Sequence, residues 1–231
     1  MRGPLIVAGG LATLAALTIA PAAGATNECR GLNPCVPVAG PWVVVPTNRS
    51  VPRPQVQYQL TCPRNFIVGG MDAELTDPSI DVAFLGSSGA PVSPGVSTSR
   101  AVVFVAAYVG DRPSAPTFRP HIGCIPATGG GTRTPTGVRK VTPPGHPTTR
   151  RVVTGRVRGQ STFAAVCRAD EQMVGWYSAK GFGSAAPPDA PMIASVRTKT
   201  TVGKRSVSVV ARAGRGQGII QVGAICAGGG R

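Results

Sequence analysis

The chain has 231 residues with 31 glycines, 23 prolines and 5% aromatic residues, and its formal net charge is +15 at pH 7. This composition favours short strands joined by many turns and offers little for long helices. Beyond residue 25 no stretch is long and apolar enough for a transmembrane helix, so we expect a soluble chain without a transmembrane segment after processing.

The first 25 residues are organised like a secretory signal peptide. One arginine precedes the uncharged apolar run PLIVAGGLATLAALTIA, and the small residues Ala23, Gly24 and Ala25 follow it. This pattern predicts cleavage before Thr26 and a secreted protein, located outside the cell or at its wall. An uncleaved membrane anchor is the alternative, since about 17 apolar residues nearly span a bilayer.

Residues 26–54 form an N-terminal segment, and residues 55–127 form the first predicted β unit. The segment contains the short loop CRGLNPC and the run PWVVVP, which is a candidate opening strand for that unit. Within the unit, QVQYQLT and SIDVAFL alternate apolar and polar residues, whereas AVVFVAAYV is continuously apolar. Alternation predicts half-buried strands, and the apolar run predicts a central strand.

A basic linker rich in Gly, Pro and Thr, residues 128–149, precedes a second predicted β unit, residues 150–231. RRVVTGRVRG is a candidate opening strand of this unit, RSVSVVARA alternates cleanly, and GIIQVGAIC closes it. Residues 26–131 carry 7 basic and 6 acidic side chains, whereas residues 132–231 carry 16 basic and 3 acidic ones. The positive charge therefore belongs to the linker and the second unit.

The two units repeat the same landmarks. YQLTCPRNFIVGG and FAAVCRADEQMVG both place an aromatic residue four positions before a Cys and a Gly eight positions after it. Two later strands align at an offset of 104, namely Val103, Val105, Ala107 and Gly110 with Val207, Val209, Ala211 and Gly214. We interpret this as an internal duplication. It predicts an all-β fold of two tandem, related, disulfide-stapled units, sandwich-like or barrel-like, with one pseudo-symmetric sandwich as the alternative.

Six cysteines remain after signal cleavage, and an even number in an exported chain predicts disulfide bonds. Six cysteines allow 15 connectivities, so their spacing alone does not choose between them. The duplication favours Cys62–Cys124 and Cys167–Cys226, one pair in each unit, and leaves Cys29–Cys35 to close a small loop. A metal site is disfavoured because the cysteine spacings are long and the chain has 2 histidines.

One pattern carries a resemblance to a known group of proteins. It consists of Cys-Pro, then Gly-Gly about seven residues on, a Val-alternating strand, and a closing Cys followed by Ala, in TCPRNFIVGG and GCIPA. It resembles small secreted repeats of exported actinobacterial proteins whose function is uncharacterised. The second unit, with VCRADEQMVGW and ICA, lacks the Pro and one Gly. The resemblance implies export and a disulfide-stapled β unit, and it lends no active-site residue.

The basic side chains of the second unit are candidates for an anion-binding surface. The predicted residues are Arg150, Arg151, Arg156, Arg158, Arg197, Lys199, Lys204 and Arg205. Anionic wall polymers, acidic lipid headgroups or extracellular DNA are the candidate partners, and the alternative is a surface that only keeps the protein soluble. Sequence-specific nucleic-acid recognition is not expected, because helix-turn-helix, zinc-module and aromatic-sheet signatures are missing.

Signals of catalysis are weak in this sequence. IVGG resembles the new N-terminus of trypsin-like proteases, but no GDSGG motif follows it. His121 is predicted to be a structural or solvent-facing strand residue. The acidic residues are predicted to form a solvated loop rather than a calcium site, and they are Asp72, Glu74, Asp77 and Asp81.

Aromatic residues are few, so we expect Trp42 and the pair Trp176–Tyr177 to anchor the core rather than to stack on sugars. No catalytic, cofactor-binding or metal-binding residue is predicted. The sequence therefore favours a non-enzymatic exported protein that binds a partner or forms part of the envelope. A secreted hydrolase of unrecognised type is the alternative, and it would need a pocket where His121 meets an acid and a Ser or Thr.

Overall fold

A computed structural model of the protein describes residues 26–47, 54–85, 100–110, 115–127, 148–214 and 218–228. The predicted signal peptide and residues 128–147 of the predicted linker lie outside these ranges. The strands are β1 (Val36–Ala39), β2 (Trp42–Val44), β3 (Gln55–Thr61), β4 (Phe66–Leu75), β5 (Ile80–Leu85), β6 (Ala101–Tyr108), β7 (Thr117–Pro126), β8 (Thr149–Arg156), β9 (Gln160–Val166), β10 (Glu171–Phe182), β11 (Val196–Val202), β12 (Ser206–Ala213) and β13 (Gly218–Gly228). One short helix, α1 (Ala190–Ser195), begins after Asp189, whose carboxylate accepts a hydrogen bond from the Met192 amide. The all-β prediction is confirmed.

The strands form one seven-stranded sheet and two three-stranded sheets. The large sheet has the order β1-β7-β2-β10-β13-β8, and β4 pairs with the other edge of β7. The small sheets are β3-β6-β5 and β11-β12-β9. All of these pairs are antiparallel, and the small sheets pack their apolar faces against the large one.

The two halves of the chain have the same strand pairing. In the first half β3 and β5 flank β6, and in the second half β9 and β11 flank β12. In the first half the last strand, β7, lies between β4 on one edge and β1 and β2 on the other. In the second half the last strand, β13, lies between β10 and β8. A β-bulge interrupts β4 at Gly69 and β10 at Val174, one residue before the repeated Gly. Both candidate opening strands are confirmed as strands that pair with the last strand of their own half.

The pairing corrects the offset read from the sequence. The Cys62 amide donates to the Arg100 carbonyl (2.7 Å), and the Cys167 amide donates to the Arg205 carbonyl (2.8 Å). These bonds align Val102 with Val207, one residue away from the alignment of Val103 with Val207. The alignment of β6 with β12 was ambiguous in the sequence because β6 is apolar on both faces. A shift of one residue exchanges the two faces of a strand, and the valines of β6 fit either alignment.

Three disulfide bonds join the cysteines as predicted: Cys29–Cys35, Cys62–Cys124 and Cys167–Cys226. Cys62 follows β3 and is bonded to Cys124 in β7, and Cys167 follows β9 and is bonded to Cys226 in β13, so each bond joins a small sheet to the large one. The four cysteines of these two bonds are buried. They therefore clamp the two layers of each half together around its core.

The halves share one sheet because β2 lies between β7 and β10. Trp42 is opposite Phe182, and Val43 is opposite Gly181, across the β2–β10 pair. A Cβ at Gly181 would lie 2.9 Å from Pro41 Cγ, so glycine is what allows this close approach. Two hydrophobic cores result, one around Phe104 and Phe118 and one around Phe182, and the strands of a single sheet run past both.

Candidate functional site

The outer face of the β11-β12-β9 sheet carries basic side chains. Val207 and Val209 point into the second core, so alternation turns Arg197, Lys199 and Arg212 outward. Arg197 lies directly opposite Arg212, and Lys199 lies opposite Val210. We call Arg197, Lys199 and Arg212 the basic face. All three are exposed, and the strands of this described sheet contribute no acidic residue to it.

Other predicted anion-binding residues flank this sheet at its two ends. Arg158 is exposed in the loop that leads into β9, while Lys204 and Arg205 are exposed in the β11–β12 turn. Seven residues of β11 separate the two ends, which is about 23 Å along the strand. Arg156 is exposed at the end of β8, in the seven-stranded sheet. Arg212, which was missed from the sequence, completes the basic face.

Arg150 and Arg151 make internal contacts instead. The Arg150 guanidinium lies 5.6 Å from the centre of the Tyr177 ring, and its Nη1 donates to Gln57 Oε1 (2.9 Å). Arg151 makes a two-pronged ion pair with Glu171, in which Nε donates to Oε2 (2.9 Å) and Nη2 donates to Oε1. Both arginines thus hold the structure together, and we do not include them in the basic face.

Glu171 is the centre of a charged cluster beside the Cys167–Cys226 disulfide. Its carboxylate accepts bonds from Arg151 and from the Arg168 amide (2.7 Å), and the residue is buried. The hydrogen bonds from Arg151 and then from the Arg168 amide lower the pKa of Glu171, although burial opposes them. Glu171, Cys167 and Cys226 are close enough to hold a metal ion, but both sulfurs are already in the disulfide.

We expect Glu171→Gln to weaken the acid sensitivity of the fold. The folded-state pKa lies below the ordinary value of about 4.3, so this carboxylate stabilises the fold above that pH. The stabilisation is lost as the pH falls through the lowered pKa. Thermal unfolding midpoints between about pH 6 and pH 2 should fall less steeply for Glu171→Gln than for the unaltered protein. Parallel pH profiles of the two proteins would contradict this assignment.

A cleft of about 430 Å³ lies where the two halves meet. It follows the edge of β10, because β2 pairs with that edge only at Gly181 and Phe182. Its walls come from β2 and β3 of the first half and from β10 to β13 of the second half. The lining residues are Val44, Pro46, Gln55, Val56, Gln57, Trp176, Tyr177, Ser178, Ala179, Lys180, Thr198, Val209 and Ile220.

Trp176 and Lys180 are the distinctive side chains of this cleft. Trp176 is 45% exposed, which corrects the prediction that it anchors the core, whereas Trp42 and Tyr177 are buried as predicted. Lys180 Nζ donates to the carbonyls of Ile193 (2.9 Å) and Val196 (3.3 Å). Burial lowers the pKa of Lys180 from its ordinary value. The cleft therefore combines one open indole face with one positioned amine.

Near this cleft the Gln221 side chain, on β13 of the second half, hydrogen-bonds to β3 of the first half. Its Oε1 accepts a hydrogen bond from the backbone N–H of Gln59 (2.6 Å). Its Nε2 donates to the backbone carbonyl of Gln59 (3.0 Å) and to Thr154 Oγ1 (3.0 Å). The side-chain amide thus pairs with β3 as another strand would. Gln221 is buried, so these bonds satisfy polar atoms that water does not reach.

We expect Gln221→Leu to lower the free energy of unfolding by about 1 to 3 kcal/mol, because it leaves the Gln59 amide and carbonyl unpaired. Urea unfolding followed by circular dichroism measures this change. The control is Gln172→Leu, an exposed glutamine of β10, which should change the value by less than about 0.5 kcal/mol. An equal effect of the two substitutions would show that Gln221 does not hold the halves together.

His121 lies in β7 beneath the loop that Cys29–Cys35 closes. Its Nε2 is 2.8 Å from Glu74 Oε1, off the hydrogen-bond axis, and its Nδ1 is 3.8 Å from Glu28 Oε1. His121 and Glu28 are both buried. Among the described residues no Ser or Thr hydroxyl bonds to this imidazole. Its two carboxylate contacts link the N-terminal loop to β4.

Gly69 and Gly70 of the first half leave room for the loop that Cys29–Cys35 closes. The Glu28 carbonyl lies against Gly70 and Gly123, where a Cβ would overlap it, and Leu32 lies against Gly69. The second half has Val174 at the position of Gly69, and that side chain is exposed. The missing Gly of the second half is thus explained, because no such loop covers Val174 in the described structure.

The four acidic residues considered for calcium do not converge on one point. Asp72 accepts a bond from the Asn27 amide (2.7 Å), Glu74 faces His121, and Asp77 accepts a bond from the Ser79 amide (2.8 Å). Asp81 is exposed on β5. Each of the first three therefore serves a local contact within the fold.

Comparison with protein-family models, with curated proteins and with solved structures finds no match to this chain. Within the ranges that the structure describes, no helix has the length and apolar character that crossing a membrane would need.

Proposed function

We propose that this chain is an exported, non-enzymatic protein that binds an anionic polymer of the cell envelope through the basic face. The observation that carries the proposal is the pair Arg197 and Arg212, which lie directly opposite each other on an exposed, acid-free sheet. Like charges in directly opposed positions destabilise a sheet. A polyanion bound to this face would remove that repulsion.

The layout of charge supports a polymer more than a small ion. Arg158 at one end of the sheet, and Lys204 with Arg205 at the other, extend the positive surface beyond the basic face. A linear polyanion is able to contact sites about 23 Å apart, and each contact releases counterions. Three disulfides and an apolar N-terminal run with small residues before Thr26 support export.

The proposal includes the internal duplication and the non-enzymatic role. The duplication is supported by the shared strand pairing and the shared bulge of the two halves. The alternative, a secreted hydrolase, gains no support from His121, because that side chain is buried beneath the N-terminal loop. A binding role requires only the exposed face that is present.

The experiment is retention of the purified protein on immobilised poly(glycerol phosphate), an anionic wall-type polymer, at increasing salt. We expect retention at low salt and a steep loss as salt rises, because released counterions drive the binding. Flow-through at low ionic strength would overturn the proposal. Substitution of Arg197 and Arg212 assigns the binding to the basic face.

A further inference from the structure

We propose that the cleft between the halves is a second binding site, which takes an acidic saccharide with one ring on Trp176 and its carboxylate at Lys180. This inference goes beyond the proposed function. The cleft reaches the inner face of the β11-β12-β9 sheet through Thr198 and Val209, whereas the basic face lies on the outer side. The two sites therefore lie on opposite sides of one sheet.

The size and lining of the cleft suit a small ligand. Its volume of about 430 Å³ lies within the usual range for ligand sites, about 300 to 1,000 Å³. Val44, Val56 and Ile220 supply apolar surface beside the exposed face of Trp176. A saccharide ring has an apolar face of C–H groups that packs on an indole, while hydroxyl groups project from its rim.

Apart from Lys180, the polar side chains that line the cleft are neutral amides and hydroxyls. Gln55, Gln57, Ser178 and Thr198 both donate and accept hydrogen bonds, which matches hydroxyl groups that also do both. Arg150 fixes the Gln57 amide by donating to its Oε1 (2.9 Å), so the NH₂ group of Gln57 is left as the donor for a ligand. Such a lining suits a hydroxyl-rich ligand better than an apolar one.

The amine of Lys180 favours a ligand that carries a negative charge. This amine has three N–H donors, and the Ile193 and Val196 carbonyls accept two of them. The third is available to a carboxylate. Trp176, Ser178 and Lys180 alternate along β10, so their side chains share one face, and Lys180 lies four positions after Trp176. That distance is about 13 Å, so a ligand touching both ends is longer than one ring.

The test uses the fluorescence of Trp176, because the other tryptophan, Trp42, is buried. Trigalacturonic acid added to the purified protein should cause a saturable change in emission, and neutral maltotriose should bind at least about tenfold more weakly. Lys180→Met should abolish this preference, because the charged hydrogen bond is lost. Arg64→Met removes one positive charge from an exposed site of the first half, outside the cleft and the basic face, and should leave binding unchanged.

A second variant keeps the inference open to refutation if Lys180→Met fails to fold. Trp176→Ala, at an exposed site, should weaken binding of trigalacturonic acid about tenfold by calorimetry, whereas Trp176→Phe should restore most of it. No saturable response to trigalacturonic acid would overturn the inference, and so would equal losses in Lys180→Met and Arg64→Met. If a tetraglutamate peptide or oligothymidylate bound more tightly than trigalacturonic acid, the saccharide assignment would be wrong and the ligand would belong to that other class. None of these outcomes depends on retention by poly(glycerol phosphate).

Discussion

Replacing Cys167 and Cys226 together by alanine is expected to lower the free energy of unfolding by about 4 kcal/mol. The disulfide closes a chain segment with a sequence separation of 59, and the entropy of that segment in the unfolded state would be released. Both cysteines are buried in the second core, so lost packing adds to the effect. Denaturant unfolding of the double variant, without reductant, measures the change.

The Cys29–Cys35 bond provides the matched control. It spans a sequence separation of 6, so its removal should cost about 2 kcal/mol in the same model. It should also loosen the loop over His121, which hydrogen exchange of β4 amides would detect. Equal losses from the two double variants would mean that loop length does not set the contribution of these disulfides.

Local patterns predicted the strands well because one face of each is buried. The alternation in QVQYQLT and RSVSVVARA reappears in β3 and β12, and the paired cysteines of each half lie where two layers meet. The register of β6 was not predictable, because Val103 on its outer face is also buried. The continuous apolar run in β6 therefore left the alignment free by one residue.

The contacts that join the two halves are between residues distant in sequence, so local sequence patterns did not predict them. β2 has only three residues, and its pairing with β10 relies on Gly181. Gln221 stands in the apolar string GIIQVGAIC, where a buried polar side chain is a signal that could have been noticed. Its partner, the backbone of Gln59, is distant in sequence and is set only by the tertiary fold.

The basic face could be predicted in part. Arg197 and Lys199 follow from alternation, and the same rule applied to RSVSVVARA would have added Arg212. Arg150 and Arg151 show the limit of that reasoning, because their partners Gln57 and Glu171 lie far away in sequence. The exposure of Trp176 likewise arises at the boundary between the halves.

The double substitution Arg197→Gln with Arg212→Gln is expected to release the protein from poly(glycerol phosphate) at much lower salt. Each phosphate contact on a flexible single strand contributes about −0.7 to the slope of log affinity against log salt. Losing two contacts should make that slope shallower by about 1.4. Frontal retention of the purified variants over a range of salt concentrations measures it.

Unfolding of this variant is checked separately, because the substitution relieves the repulsion between Arg197 and Arg212 but also removes the bond that Arg212 Nε donates to Gln160 Oε1 (2.7 Å). Removing both charges should leave the unfolding midpoint unchanged or slightly raised. The control, Arg30→Gln with Arg64→Gln, removes the same charge from exposed sites in the first half and should keep the original slope. If the control lowers retention equally, net charge alone drives binding, and the basic face has no special part in it.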